Sequence, residues 1–220
     1  MIADLIDKKD GFETVRDKIA AILTLETASQ QALAVAAGKD PSLWKLRVYL
    51  ERSNAWEQWV NIEEITDYSP IVNVWFDTAS YDERKGNTVY RQCSDSIFNI
   101  DCYAIGLSSD SGTGHLAGDK EAVLNAHRAV RLVRNILMAG EYTYLSLRGT
   151  VWGRWPLSLT IFQPEMGGQV VQQIIGARLA FRVSHNEFSP QATGEILESI
   201  YTTITLTDDN EMVVIKEFTE

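Results

Sequence analysis

Apolar residues recur at helical spacing in two long stretches of the chain. The first begins after Asp10, which with Glu13 has the spacing of a capping box, and the second covers residues 119–138. An Ala-rich stretch at residues 29–37 predicts a further short helix that Gly38 ends. The positions that define the two long apolar stripes are Phe12, Val15, Ile19, Ile22, Leu23, Val123, Ala126, Val130, Val133 and Leu137.

Alternation of apolar and polar residues predicts β-strands in most of the remaining chain. At residues 43–51, for example, apolar Leu46 and Val48 alternate with charged or polar neighbours, as in a half-buried strand. Residues 52–69 follow this strand and are compatible with either a short amphipathic helix or an ordered excursion. The other predicted strands are residues 71–78, 97–105, 142–147, 151–162, 174–183, 200–206 and 212–215.

Two polar segments predict turns between neighbouring strands. Residues 80–89 are charged and contain the pair Gly86-Asn87, so we expect a protruding hairpin or arm. Residues 207–211 suit a hairpin connection between the last two strands. The whole order predicts an α+β fold with a mainly antiparallel β-sheet flanked by helices. We expect a single domain over residues 1–220, with an insert at about 38–69 and an arm at about 79–90.

Composition narrows the possible environments and partners of this fold. A hydrophobic fraction of 45% excludes wholesale disorder, and a net charge of -10 argues against sequence-independent affinity for duplex DNA. The two cysteines, Cys93 and Cys102, are too few for a disulfide framework and favour a reduced, cytosolic origin. No leader-like segment opens the chain, and no apolar run approaches the roughly 18 residues of a membrane span, so we expect no membrane contact.

The residues that could perform chemistry are scattered. The three histidines, His115, His127 and His185, have no flanking catalytic signature, and no metal-binding spacing of Cys and His occurs. Glycines at 112, 114 and 118 do not have the spacing of a dinucleotide fingerprint. The sequence therefore predicts no catalytic residue, no metal and no cofactor. An alternative of a different class is a small-molecule enzyme with a cryptic site near Asp101, His115 and His185.

Two groups of side chains are candidates for contacts with other proteins. Arg128, Arg131 and Arg134 lie in the second half of the long helix, where they are solvated and complement the helix dipole, or face a neighbouring subunit or a DNA-lined channel. Trp152 and Trp155 are unusual for an exposed strand, so we expect them in a core or at an interface.

With these patterns in place, the chain resembles the tail-terminator and head–tail completion (neck) proteins of long-tailed phages. The resemblance rests on the order of elements after an N-terminal helix and on four segments: WKLRVYLER, PIVNVWFDTASYDERKGNTVYRQCSDSIFNIDCYAIG, KEAVLNAHRAVRLVRNILM and LESIYTTITLTDDNEMVVIKEF. The insert at residues 38–69 departs from the smallest members of that family. The family supplies no catalytic residues to carry over.

The resemblance implies a structural virion protein that caps the tail tube as a hexameric ring and ends tail polymerisation. The implied partners are copies of the chain itself, the tail tube protein and the head connector or neck proteins, with DNA only passing through the lumen. The implied location is the virion neck, after assembly in the host cytoplasm. A head-completion protein or a tail tube subunit is the alternative. The expected subunit-interface residues are Tyr81, Asp82, Glu83, Arg84, Lys85, Arg128, Arg131 and Arg134.

Overall fold

The structure is a computed structural model of the chain. It describes residues 9–60, 67–81, 88, 91–107, 109–111, 114–116, 118–166, 169–170, 173–188, 203–205 and 212–214. Its helices are α1 (Gly11–Ala36) and α2 (Gly118–Leu137), and short 3₁₀ turns occur at Pro41–Trp44, Ala55–Trp59 and Gly140–Tyr142. Its strands are β1 (Arg47–Leu50), β2 (Ile71–Tyr81), β3 (Arg91–Ile105), β4 (Ser109–Ser111), β5 (Gly114–Leu116), β6 (Val151–Phe162), β7 (Glu165–Met166), β8 (Gln169–Val170), β9 (Ile174–Phe188), β10 (Thr203–Thr205) and β11 (Met212–Val214).

Five strands form the main sheet, in the order β1-β2-β3-β9-β6. All neighbours in this sheet are antiparallel except β1, which runs parallel to β2. The remaining strands form three separate pairs, β4–β5, β7–β8 and β10–β11. The α+β fold with a mainly antiparallel sheet flanked by helices is therefore confirmed.

The main core lies between one face of this sheet and the two helices. Three rows of side chains cross β2, β3 and β9 on that face: Val72, Cys102 and Ala177; Val74, Ile100 and Leu179; and Phe76, Phe98 and Phe181. The helices add Val15, Ile19 and Leu23 from α1 and Ala126, Val130 and Val133 from α2. The opposite face of the sheet, which we call the open face, carries no helix from α1 or α2.

A smaller cluster covers one end of the open face and belongs to the predicted insert. Within the described part of this insert, the structure has the 3₁₀ helix Ala55–Trp59. Trp56 and Trp59 are buried there against Ile71 and Tyr103. The described part of the insert, residues 38–60 and 67–69, therefore covers one end of the sheet with aromatic side chains.

A side chain near the end of β9 binds the N-terminus of α1. Glu187 accepts hydrogen bonds from the backbone N–H groups of Gly11 at 2.7 Å and Phe12 at 3.0 Å. The predicted capping box is present as well, and the Glu13 carboxylate accepts the Asp10 N–H at 3.0 Å. A carboxylate at this position also complements the positive end of the helix dipole.

Two predicted elements are wrong. The separate helix at residues 29–37 is the last third of a continuous α1, because no helix breaker precedes Gly38, whose φ of 65° ends it. The strand at residues 142–147 is absent, and a 3₁₀ turn and further turns replace it. Leu145 and Ser146 have φ values of 50° and 54°, which no β-strand accommodates, and burial of the Leu145 side chain anchors the turn.

The hairpins are placed largely as expected. β2 and β3 remain paired as far as Tyr81 opposite Ser94, and the arm residues 82–87 and 89–90 lie outside the described residues. The loop predicted at residues 108–118 contains the short pair β4–β5. β10 and β11 pair antiparallel, as predicted, and their connection lies outside the described residues.

Replacing Glu187 with Ala should lower the free energy of unfolding by about 2–3 kcal/mol, because two N–H groups of α1 lose a charged acceptor. Chemical denaturation monitored by circular dichroism measures this change. Glu13→Ala, which removes the more exposed cap, should cost only about 0.5–1 kcal/mol. Equal losses in the two variants would contradict the assigned role of Glu187.

Candidate functional site

The predicted interface residues of the arm are described only at its base. Tyr81 ends β2 and has 53% of its surface exposed. Its pKa is raised by partial burial and by the negative charges of Glu187 and Asp10, so it lies close to the start of α1. Asp82, Glu83, Arg84 and Lys85 lie outside the described residues, and their contribution to an interface stays a prediction.

The three predicted arginines all lie on α2. Arg131 and Arg134 are exposed, whereas Arg128 is half-buried. Arg128 also helps to lower the pKa of Asp40, although hydrogen bonds from Ser42 have the larger effect. Within the described part of the chain, none of the three forms an ion pair. Arg131 and Arg134 therefore remain available to a partner.

The most unusual surface of the protein is the outer side of β6, which we call the β6 edge. β6 is the last strand of the main sheet and, among the described residues, it pairs only with β9. Large apolar side chains along β6 are 39% to 49% exposed. They are Trp152, Trp155, Leu157, Leu159 and Ile161.

Among the described residues, the β6 edge has only some of the features that normally prevent a sheet from pairing with another chain: it contains Pro156 and a bulge, but it is long and carries little charge. Charged residues, very short strands or covering loops usually protect such edges. β6 has twelve residues, and its single charged side chain, Arg154, is turned back to the carbonyl oxygens of Ala139 at 2.8 Å and Thr143 at 3.1 Å. No charge follows Arg154 in the strand, and the six residues after Pro156, from Leu157 to Phe162, have the composition of a pairing surface.

The two tryptophans of β6 are not in a core, which leaves the predicted interface as their expected location. Their rings meet edge to face with centroids 6.5 Å apart. Trp155 lies on the open face, where the Arg182 guanidinium stacks over it at 4.7 Å. The structure therefore fixes the Trp155 ring in place while leaving much of it exposed.

The edge position of β6 was missed at the sequence level, although one signal was present. Pro156 lies in the middle of the predicted strand at residues 151–162 and has no N–H to donate. Proline within a strand is confined mainly to edges and bulges, and the structure has both features here, since the pairing with β9 shifts register between Pro156 and Ser158.

A second candidate is a cavity of about 480 Å³ on the open face, lined partly by Arg52, Trp75 and Phe162. At its floor, Asp101 is only 2% exposed and accepts the Arg178 Nε–H at 2.7 Å and the Nη2–H at 2.9 Å. The same carboxylate accepts the Trp75 indole N–H at 3.0 Å and the Tyr103 hydroxyl at 3.3 Å.

These bonds occupy the two charged groups at the cavity floor. Four donors bind the Asp101 carboxylate, three at Oδ2 and one at Oδ1, so both oxygens are engaged by the protein itself. The Arg178 guanidinium also stacks on Trp75 at 5.0 Å and Phe162 at 5.3 Å. The arrangement fixes the aromatic floor of the cavity, and the ion pair with Arg178 and the burial of Asp101 favour a structural role for this carboxylate.

A third cluster lies on the helix-covered face. His185 Nε2 is 2.8 Å from Ser96 Oγ, and its Nδ1 is 3.6 Å from Glu187 Oε1. The order of the three residues resembles a serine–histidine–acid relay, but 3.6 Å is too long for a hydrogen bond, and Nδ1 has no hydrogen-bond partner among the described residues. Ser96 and His185 are also fully buried, and Glu187 is committed to α1. Burial lowers the pKa of His185 and raises that of Glu187, so both shifts favour the neutral forms.

The three residues of the predicted cryptic site do not meet in one described site. Asp101 and His185 occupy positions of opposite parity in the β3–β9 ladder, so they lie on opposite faces of the sheet. His115 lies in β5, away from the main sheet. Among the described residues, no group of three or more His, Cys, Asp or Glu side chains could hold a metal ion.

Comparisons with known proteins add no assignment. No protein-family model matches the chain, and no curated protein matches its sequence.

One helix among the described residues, α1, is long and apolar enough to cross a membrane by length and composition, a test that core helices also pass. By that measure the expectation that no apolar run approaches such a length is wrong. The buried face of α1 packs against the sheet, and the absence of membrane contact stays a prediction.

Removing Arg178 should lower the free energy of unfolding more than removing Asp101. Arg178→Met leaves a buried carboxylate without its cation and should cost about 3–5 kcal/mol of unfolding free energy. Asp101→Asn leaves a partly exposed guanidinium that water can solvate, and should cost about 1–3 kcal/mol. Urea denaturation of both variants, with Arg131→Met as an exposed control, measures the difference. The reverse order would contradict the geometry described for this pair.

His185 should make the protein less stable in mild acid. Because burial lowers its pKa, the unfolded chain takes up a proton near pH 6.5 that the folded chain excludes, so the unfolding free energy falls as pH drops through that value. The raised pKa of Glu187 acts in the opposite direction, in a pH window above about 4.5, where the folded chain takes up a proton before the unfolded chain does.

The measurement is the difference in unfolding free energy between pH 7.5 and pH 5.5. His185→Gln should reduce this difference, whereas His127→Gln, at an exposed position on α2, should leave it unchanged. An unaltered difference in the His185 variant would remove the assigned pH dependence.

Proposed function

We propose that this chain is a structural protein of a tailed-phage particle, a tail terminator that caps the tail tube as a ring of identical subunits. The observation that carries the proposal is the β6 edge, a long strand that pairs only with β9 among the described residues and carries exposed apolar side chains. The phage assignment itself rests on the resemblance of the sequence to tail-terminator and neck proteins.

The β6 edge supports assembly because of its size. Twelve residues at about 3.3 Å each give an edge roughly 40 Å long, with unpaired N–H and C=O groups and five half-exposed apolar side chains. A monomer would present this edge to water as a template for aggregation. A specific contact with another subunit would pair these backbone groups and bury these apolar side chains, and would therefore prevent aggregation.

The two edges of the main sheet are unlike each other, which favours a ring. β1 is a strand of only four residues at one edge, whereas β6 is long and apolar at the other. A self-complementary dimer needs one surface that meets its own copy. A head-to-tail contact joins two different patches on each protomer, and it closes into a ring when the rotation per subunit allows.

The net charge of -10 agrees with a passage for DNA. Non-specific affinity for DNA comes from neutralising phosphates with Lys and Arg, and an acidic wall repels the duplex instead. In this proposal, one face of the ring contacts the last ring of the tail tube and the other contacts the head connector.

Electron microscopy of particles assembled without this protein tests the proposal. A tail terminator predicts tails of uncontrolled length, because nothing stops polymerisation of the tube. Free tails of normal length beside filled heads would contradict the terminator role and indicate a head–tail joining protein.

Charge on the β6 edge should abolish self-association. The double variant Leu159→Lys/Ile161→Lys should remain monomeric at concentrations where the unmodified chain forms rings, because lysines at a strand edge oppose pairing with another strand. Mass photometry measures the species, in the presence of tail tubes if the tubes are needed to induce rings. Leu124→Lys is the control, since Leu124 is an exposed leucine on α2, away from the β6 edge. Rings formed by the double variant would show that the β6 edge is not the contact.

The arginines of α2 are the other predicted subunit contact. Mass photometry of α2 variants distinguishes this contact from one through the β6 edge. Arg128→Glu/Arg131→Glu should weaken the ring, most clearly at low salt, if these cations meet the acidic surface of a neighbour. An unchanged ring population at low and moderate salt would rule out charge pairing through α2.

A further inference from the structure

The C-terminal hairpin is a second element of this fold that lacks a partner. β10 and β11 pair through Thr203–Val214, Ile204–Val213 and Thr205–Met212, three residues in each strand. Within the described part of the chain they pair with no other strand. An isolated two-stranded hairpin is marginal in water and needs a third strand or a packing surface.

The composition of the hairpin suits addition to a sheet. Its strands consist of Thr, Ile, Val and Met, most of which are β-branched residues that favour strands. The β6 edge offers what this hairpin lacks, namely a row of unpaired backbone groups flanked by apolar side chains. Each element therefore supplies the pairing surface that the other requires.

Charge also favours this match. Residues 203–214 contain three acidic residues and no basic residue. β6 contains Arg154 and no acidic residue, and Arg182 lies beside it over the Trp155 ring. Because Arg154 is hydrogen-bonded to the carbonyls of Thr143 and Ala139, Arg182 is the cation beside the edge that would attract the acidic residues of the hairpin.

The length of chain before the hairpin allows it to reach a neighbouring subunit. β9 ends at Phe188, and fourteen residues, 189–202, separate it from Thr203. Fully extended, such a segment spans at most about 50 Å, which exceeds the roughly 40 Å length of the β6 edge. Among the described residues, neither the hairpin nor the outer side of β6 pairs with a further strand, which favours a partner from a second copy.

We infer that the β10–β11 hairpin of one subunit adds to the β6 edge of the next subunit and extends its sheet. This inference rests on the proposed function, because it identifies the contact that builds the ring. Donor and acceptor are different parts of each subunit, so the contact is head-to-tail and continues from one copy to the next.

Two full-length variants, each defective in one half of the contact, test the inference. Ile204→Pro/Val213→Pro breaks the donor hairpin, because proline removes backbone N–H groups in both strands. Leu159→Lys/Ile161→Lys blocks the acceptor edge. Each variant alone should be monomeric by native mass spectrometry. An equimolar mixture should give a heterodimer and nothing larger, since only one intact donor and one intact acceptor can meet.

The control for the donor variant is Ile204→Val/Val213→Ile, which keeps strand-forming residues at both positions and should assemble like the unmodified chain. Assembly of Ile204→Pro/Val213→Pro into normal rings would overturn the inference and leave the proposed function intact. A mixture that yields only monomers would also overturn it, because the hairpin would then act within its own chain. An unmodified chain that stays monomeric even with tail tubes would instead contradict the proposed function itself.

Discussion

The antiparallel ladder between β3 and β9 organises the rest of this protein. Both strands have fifteen residues, and they pair without interruption from Arg91 opposite Phe188 to Ile105 opposite Ile174. Because side chains alternate along such a ladder, its parity decides which residues meet α1 and α2 and which line the open face. A slip of one residue would exchange Phe98 and Leu179 with the polar set that contains Asp101, so burial and the Asp101–Arg178 pair both depend on this register.

Local pattern predicted much of the fold because helices and half-buried strands repeat with fixed periods. Both helical stripes and the alternation of residues 174–183 reflect side chains that must face a core. The failure at residues 142–147 has a different origin, since the left-handed backbone of Leu145 and Ser146 depends on how Leu145 anchors in the core. The local sequence pattern also could not predict that β1 pairs in parallel with β2, because nothing in a four-residue strand specifies the direction of its neighbour.

The candidate sites were less predictable because they depend on partners far apart in sequence. Asp101 meets Arg178 across the ladder, and Glu187 meets Gly11 from the other end of the chain. Neither pair has a local signature. The β6 edge is a partial exception, since Pro156 indicates an edge, yet the exposure of Leu159 follows only from the strand order.

Glu187 also has a mechanical consequence. It lies one residue before the end of β9, so a force applied through the C-terminal segment would enter the sheet at that point and run along the strand. Along that direction the bonds to β3 and β6 are loaded together in shear, rather than one after another as in unzipping. The hydrogen bonds between Glu187 and the first turn of α1 would transfer part of this force to the helices. A force applied through the C-terminal segment would therefore be shared between the central strands of the sheet and the helices.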